Sequence, residues 1–183
     1  MQSDLFSAVL IQGIHGNALC DATFSPCRTY RYALWRRWGT AVGGNAASPQ
    51  RGSYAMFVCL NPSTADELNN DPTIVRCINF AKAWGFDGLC MANLFAFRAT
   101  QPADMKAAAD PIGPDNDAYL RSLSLDAGIV VAGWGVHGTH RGRAQAVRAM
   151  LPRPHHLRLT KDGHPGHPLY LPATLKPVAW MDA

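Results

Sequence analysis

The sequence predicts an α/β domain built as a three-layer sandwich, with a mainly parallel central sheet flanked by helices. Three short apolar runs, at residues 54–60, 89–92 and 128–133, have the composition of strands that are buried on both faces. Segments whose apolar residues recur at helical spacing lie between these runs. Strands that alternate with helices in this way predict parallel pairing through right-handed crossovers.

The start of the chain has no sustained periodicity. We expect residues 1–27 to form an irregular N-terminal extension and residues 28–183 to form a single α/β domain. Apolar and polar residues alternate over residues 29–35, which predicts the first strand. Residues 36–53 are rich in glycine, asparagine and proline, which is typical of a mobile hairpin loop.

The best-marked helix is predicted between residues 71 and 85. Asp71 suits the N-cap, Pro72 the first helical position and Gly85 the position after the last turn. The remaining predicted elements are helices over 102–109, 115–125 and 141–151 and a strand over 155–159.

The composition excludes several classes of protein. The chain has 183 residues, of which 48% are hydrophobic and 16% are charged, so it is not a disordered chain. No apolar run approaches the ~18 residues of a transmembrane helix, and residues 5–14 lack the flanks of a signal peptide. Five cysteines without CxxC spacing are typical of a reducing compartment. We therefore expect a cytoplasmic protein with no membrane partner.

Polar loops follow the predicted strands, and in open parallel sheets ligands bind beyond the carboxyl ends of the strands. Because these ends converge on one edge, the sequence predicts a single polar site there. The residues we expect to bind substrate are Pro62, Ser63, Thr64, Asn93, Arg98, Trp134, Gly135, Lys161 and Tyr170, and the candidate catalytic residues are Asn61, Asp66, His164 and His167.

Each group also has a structural interpretation. Residues 61–64 suit a turn that its own side chains stabilise, and Asp71 is either the N-cap of the following helix or a catalytic acid. Asn93 is either a turn former or an amide that presents a donor and an acceptor to a ligand. Trp134 either packs in the core or offers a flat ring for stacking.

The sequence shows no cofactor site. His164 and His167 are each followed by proline, which stiffens the backbone and holds both imidazoles, but a metal site at this pair lacks a third ligand. The chain has no Walker or dinucleotide-binding loop. Ser63 also lacks the glycine-flanked elbow of serine hydrolases. We therefore expect neither a metal nor another cofactor.

Several motifs resemble the bacterial family catalogued as domain of unknown function 1643. They are the run Leu60–Asp66, the Asp71–Thr73 segment, the segment 93–100 and the closing segment 160–170. The resemblance extends over residues 28–180, and it carries no established activity.

A more distant similarity is to uracil-DNA-glycosylase-like enzymes. Their first motif is a strand that ends in Gly-x-Asp/Asn-Pro, a later strand ends in an asparagine that reads the base, and a final His-Pro-Ser loop contacts the lesion. This chain has Asn61-Pro62, Asn93 and His167-Pro168 in the same order. It departs from the pattern at Cys59, where these enzymes have glycine, and at Leu169, where they have serine. The similarity implies the fold of these enzymes, an α/β sandwich with a parallel sheet.

The similarity also implies cleavage of an N-glycosidic bond, with DNA or a nucleotide as the partner. Asn61 would orient a water, with Asp66 as a general base nearby, and Asn93 would read the base. His164 or His167 would donate to the oxygen that gains charge. The same groups serve a non-catalytic domain that binds a nucleotide or modified base. They also serve a small-molecule hydrolase or transferase acting on a phosphate-bearing substrate.

Overall fold

The computed structural model describes residues 8–15, 18–38, 52–63 and 68–181. Over these residues the centre of the molecule is an eight-stranded mixed sheet with the order β1-β2-β3-β5-β4-β6-β7-β8. The strands are β1 (Val9–His15), β2 (Ala18–Phe24), β3 (Arg31–Arg37), β4 (Tyr54–Cys59), β5 (Gly88–Asn93), β6 (Ile129–Ala132), β7 (His155–His156) and β8 (Val178–Ala179).

Helices pack on both faces of this sheet. They are α1 (Pro72–Ala83), α2 (Pro102–Ala107), α3 (Asn116–Asp126) and α4 (Arg143–Met150), with 3-10 turns at Val136–Gly142 and Pro168–Tyr170. The start of α1 is as predicted, since Asp71 is the N-cap and its Oδ1 accepts from the Ile74 N–H at 2.8 Å. None of the helices in the described part of the chain has the length and apolar content needed to cross a membrane.

The prediction of a mainly parallel sheet is wrong. Among the strands that the structure describes, parallel pairing joins only β5 to β4, β4 to β6 and β6 to β7, whereas the other neighbours pair antiparallel. The parallel strands β4, β5 and β6 come from the three apolar runs. Only two residues separate β1 from β2. A parallel pair needs a crossover of about a dozen residues or more, so this pair must run antiparallel.

The prediction of an irregular extension over residues 1–27 also needs correction. Within the described residues, 9–24 form the hairpin β1–β2, which extends the sheet beyond β3. Asp21 is buried in this part of the sheet and forms an ion pair with Arg37 at 2.5 Å that joins β2 to β3. Buried charges of this kind interrupt the hydrophobic alternation by which a strand is recognised in a sequence.

The segment 36–53 was predicted to be a hairpin loop, but its first two residues belong to a strand. Arg36 and Arg37 belong to β3, and residues 39–51 lie outside the described residues. The Arg36 side chain is fully buried. Its Nε donates to Asn70 Oδ1 at 2.7 Å and its Nη1 donates to the Trp35 carbonyl at 2.8 Å. Arg36 thus fixes the chain just before α1 against the sheet.

The core has two parts, one on each face of the sheet. Alternate β4 residues supply both: Tyr54, Met56 and Val58 face the layer of α3 and α4, and Phe57 faces α1. All six β4 residues are buried. This explains why its sequence is continuously apolar rather than alternating.

We expect Arg36→Ala to lower the free energy of unfolding by at least about 2 kcal/mol, because it leaves buried acceptors without their charged donor. Arg121 lies exposed on α3, and Arg121→Ala should change this free energy by less than about 0.5 kcal/mol. Equilibrium urea denaturation of the two variants measures both values. Equal stability of the two variants would contradict the anchoring role of Arg36.

Candidate functional site

A cavity of about 480 Å³ lies at the carboxyl ends of β4, β5 and β6. We call it the strand-end cavity. Its lining comes from segments that are far apart in the sequence and that meet at this edge of the sheet. The polar and aromatic lining residues are Arg31, Asn61, Ser63, Asp71, Thr73, Asn93, Thr100, Trp134, His137, His167 and Tyr170.

Asn93 is the last residue of β5 and is only 4% exposed. Its backbone carbonyl accepts from Asn116 Nδ2 at 3.1 Å. Its side-chain amide lines the cavity and makes no hydrogen bond to any other residue that the structure describes. The amide atoms are not sealed from the cavity. Both ends of the amide are therefore available to a ligand.

Asn61 follows β4 and is held in one orientation. Its Nδ2 donates to the Ala99 carbonyl at 2.7 Å and to the Pro62 carbonyl at 3.2 Å. The amide nitrogen is therefore used by the protein, and Oδ1 is the atom available to a water or a ligand. Pro62 is buried and accepts from the Ala99 N–H at 3.0 Å, so it shapes the turn without lining the cavity.

His167 lines the strand-end cavity and is set there by a close approach between two segments. Its neighbour Pro168 packs against Gly133 at the end of β6, where an added Cβ would lie 2.8 Å from the proline Cδ. The Leu169 N–H donates to His167 Nδ1 at 3.4 Å. This assigns the proton of the neutral ring to Nε2. Burial lowers the pKa of His167 below its usual range, against an opposing effect of Asp71.

Asp71 combines the two roles that the sequence left open for it. Oδ1 caps α1, and the carboxylate also lines the strand-end cavity. No other described residue donates to its Oδ2. Its negative charge acts on both His167 and Cys59. A carboxylate and an imidazole donor therefore face the same space.

Trp134 is 2% exposed, so it belongs to the core, yet its ring forms part of the cavity wall. The Gly138 backbone packs against the pyrrole edge, where an added Cβ would clash with the tryptophan Cδ1. Gly135 turns the chain after Trp134 with a φ of 67°. Tyr170 lies at the mouth of the cavity, is largely exposed and has its ring 5.6 Å from that of His167.

The other expected site residues are distributed as follows. Ser63 lines the strand-end cavity, whereas Thr64 and Asp66 lie outside the described residues. Three residues do not reach the cavity. Lys161 is exposed, His164 lines a neighbouring cavity, and the Arg98 guanidinium donates to the Arg28 carbonyl and lies over the Phe24 ring.

Sequence reasoning missed Arg31, which is 7% exposed and lines the cavity. It begins β3, and its backbone N–H donates to the Ala96 carbonyl beyond the end of β5. The position of Arg31 depends on the antiparallel pairing of β3 with β5, which no local pattern reveals. The sequence signal that could have indicated this role is its position in a predicted strand, as a charged residue between Tyr30 and Tyr32.

Cys59 also lines the cavity but is not a nucleophile. Burial raises the pKa of its thiol to about 12, and the nearby Asp71 charge adds to the shift. The thiol is therefore protonated at neutral pH. Among the described residues, no group of three or more His, Cys, Asp or Glu side chains is arranged to hold a metal ion.

Two buried asparagines give a direct test of the site. We expect Asn93→Leu to leave the free energy of unfolding unchanged or to raise it, because it removes an amide without a partner. Asn116 is also fully buried, but its Nδ2 donates to the carbonyls of Asn93 and Leu94 at 3.1 and 3.0 Å. Asn116→Leu should lower this free energy by about 1–3 kcal/mol.

Urea denaturation of both asparagine variants provides the comparison. If Asn93→Leu destabilises the protein as much as Asn116→Leu does, then Asn93 is a structural residue. The interpretation of its amide as a ligand contact would then be wrong.

The family model described as "Protein of unknown function (DUF1643)" matches residues 31–169, which include every part of the strand-end cavity except the last residue of its mouth. No curated protein and no solved structure matches the chain significantly. Since the match covers well over half of the sequence, the chain belongs to the DUF1643 family.

Proposed function

We propose that this protein binds a nucleobase in the strand-end cavity and hydrolyses the N-glycosidic bond that joins the base to its sugar. The observation that carries the proposal is the buried Asn93 amide, which faces a cavity of about 480 Å³ without a partner. An amide presents a donor and an acceptor side by side, as the edge of a base does in complementary order. Enzymes that act on bases read them by such contacts and by stacking on rings, and the Trp134 ring forms part of this cavity wall.

The order of the motifs also supports the proposal. Asn61-Pro62, Asn93 and His167-Pro168 resemble the three motifs of uracil-DNA-glycosylase-like enzymes, and Asn61, Asn93 and His167 all line the same cavity. They are separated by 32 and 74 positions in the sequence. Their convergence on one space favours a shared role over three independent turns.

The reaction needs a water, a group that accepts its proton and a donor for the leaving base. We assign Asn61 Oδ1 and Asp71 Oδ2 to the water, which attacks the anomeric carbon while the bond to the base nitrogen breaks. The bonding electron pair leaves with the base. The water proton passes to Asp71 and then to the base nitrogen, so the products are a neutral base and a sugar hydroxyl.

Charge develops at two points in this step, and the cavity has a group for each. The sugar gains positive charge as the bond breaks, which the Asp71 carboxylate stabilises. The base gains negative charge that spreads to its exocyclic carbonyl oxygen, to which His167 Nε2–H donates as an oxyanion-hole donor does. Asp71 thus takes the role that the sequence suggested for Asp66.

We expect purified protein to release a free base from at least one damaged or mismatched DNA substrate. Labelled duplexes and single strands that carry uracil, hypoxanthine, alkylated or mismatched bases test this, because an abasic site breaks in alkali. Asp71→Asn should lower the rate at least 100-fold, within the usual range for a lost general base. Asparagine still caps a helix well, so the fold should persist. Asn79→Ala, an exposed site on α1, is the matched control and should keep the wild-type rate.

The assay separates this proposal from the alternatives. Salt-sensitive binding that Asn93→Leu abolishes, with no base released from any substrate, would identify a non-catalytic binding domain and contradict hydrolysis. Absence of both binding and release would exclude nucleobases and leave the small-molecule alternative.

The lowered pKa of His167 predicts how stability depends on pH. The unfolded chain takes up a proton near pH 6.5, the ordinary value for histidine, and the folded protein takes it up only at lower pH. The contribution of neutral His167 to the free energy of unfolding is therefore fully present above pH 6.5. It is lost as the pH falls from there through the pKa of the folded state. We expect wild type to lose more stability than His167→Gln between pH 7 and pH 5 in urea denaturation. Equal losses would show that His167 is not buried in its neutral form.

A further inference from the structure

A second cavity, of about 450 Å³, adjoins the strand-end cavity. We call it the indole cavity, because two tryptophans form part of its wall. Its aromatic and polar lining residues are Trp134, Thr139, Gln145, Arg148, His164 and Trp180. It includes His164, a residue that the sequence singled out and that the reaction proposed above does not use.

Trp134 is a wall of both cavities. Its ring centroid lies 5.8 Å from that of Trp180, at an interplanar angle of 38°. The Arg148 guanidinium lies over the Trp180 ring, 4.3 Å from the centroid, and its Nη2 donates to the Met181 carbonyl at 3.1 Å. Trp134 is buried and Trp180 is partly exposed, so the indole cavity combines part of the Trp180 ring with a positive charge.

One ordered loop serves both cavities. The Thr160 N–H donates to the His164 carbonyl at 2.8 Å, and the His164 N–H donates to Thr160 Oγ1 at 3.1 Å. The Gly135 N–H, directly after Trp134, donates to the Pro165 carbonyl at 2.9 Å. The loop is therefore tied to the tryptophan wall. It places His164 in the indole cavity and His167 in the strand-end cavity, on opposite sides of that tie.

We propose that the indole cavity holds the nucleotide next to the one whose base enters the strand-end cavity, so that the substrate is a polynucleotide strand and not a free nucleoside. This rests on the proposed function. Sites for single-stranded nucleic acid combine rings that stack on bases with cations that follow the phosphates, and arginine adds cation–π contacts. Trp180 with Arg148 has this composition, and His164 and Gln145 supply donors for a phosphodiester.

A comparison of nucleosides with dinucleotides tests the inference. The probes are the deoxynucleosides of adenine, guanine, cytosine, thymine, uracil and hypoxanthine, and dinucleotides in which thymidine is attached on either side of each. Isothermal titration measures the dissociation constants with wild type, His164→Ala and Gln145→Ala. We expect the best dinucleotide to bind at least tenfold more tightly than its nucleoside. Each variant should reduce this gain without changing nucleoside affinity, and Asn79→Ala, an exposed change on α1, should retain it.

Each result has a definite meaning. Equal affinity for nucleoside and dinucleotide, or a gain that persists in both His164→Ala and Gln145→Ala, would overturn the inference and leave the proposed function intact. Failure of wild type to bind any nucleoside or dinucleotide would overturn the proposed function and the inference with it. A gain that is lost in His164→Ala, with unchanged nucleoside binding, would establish the second nucleotide site.

Discussion

Parallel pairing of β4 with β5 on one edge and β6 on the other is the constraint on which the fold and the site both depend. It buries every residue of β4 and brings the carboxyl ends of three strands together. Asn61, Asn93 and Trp134 follow these ends, so they become neighbours although they are far apart in the chain. The rest of the sheet, the hairpin β1–β2 and the strand β3 included, extends this centre and adds Arg31 to the cavity wall.

The strand-end cavity presents polar groups to a ligand. The Asn93 amide is buried without a described partner, and burial holds His167 in its neutral form. Both features favour a ligand, since each leaves a hydrogen-bonding group available in the cavity. Contacts with neighbouring residues hold the cavity lining in place: Asn61 donates to two carbonyls, Asp71 caps α1, and Pro168 packs directly on Gly133.

The sequence predicted the strands that are buried on both faces, and it predicted the helix whose N-cap and first residue are marked by Asp71-Pro72. The three apolar runs are strands, and Asp71-Pro72 marks the start of α1 as expected. The strand β3 was predicted, but the hairpin β1–β2 was missed, because β2 buries charge at Asp21. The cavity followed from a general rule about strand ends, and that rule does not distinguish His167 from His164. Only the packing of Pro168 on Gly133 separates them.

The most direct test of the central claim is nuclear magnetic resonance of protein with ¹⁵N-labelled asparagine side chains, assigned with the Asn93→Leu and Asn116→Leu variants. Nucleosides and free bases are added to saturation. If the cavity reads a base edge through Asn93, its side-chain NH₂ signals will shift with at least one of them, while those of Asn116, which are already hydrogen-bonded to backbone carbonyls, will not. Unchanged Asn93 signals with every nucleoside and base would contradict the account.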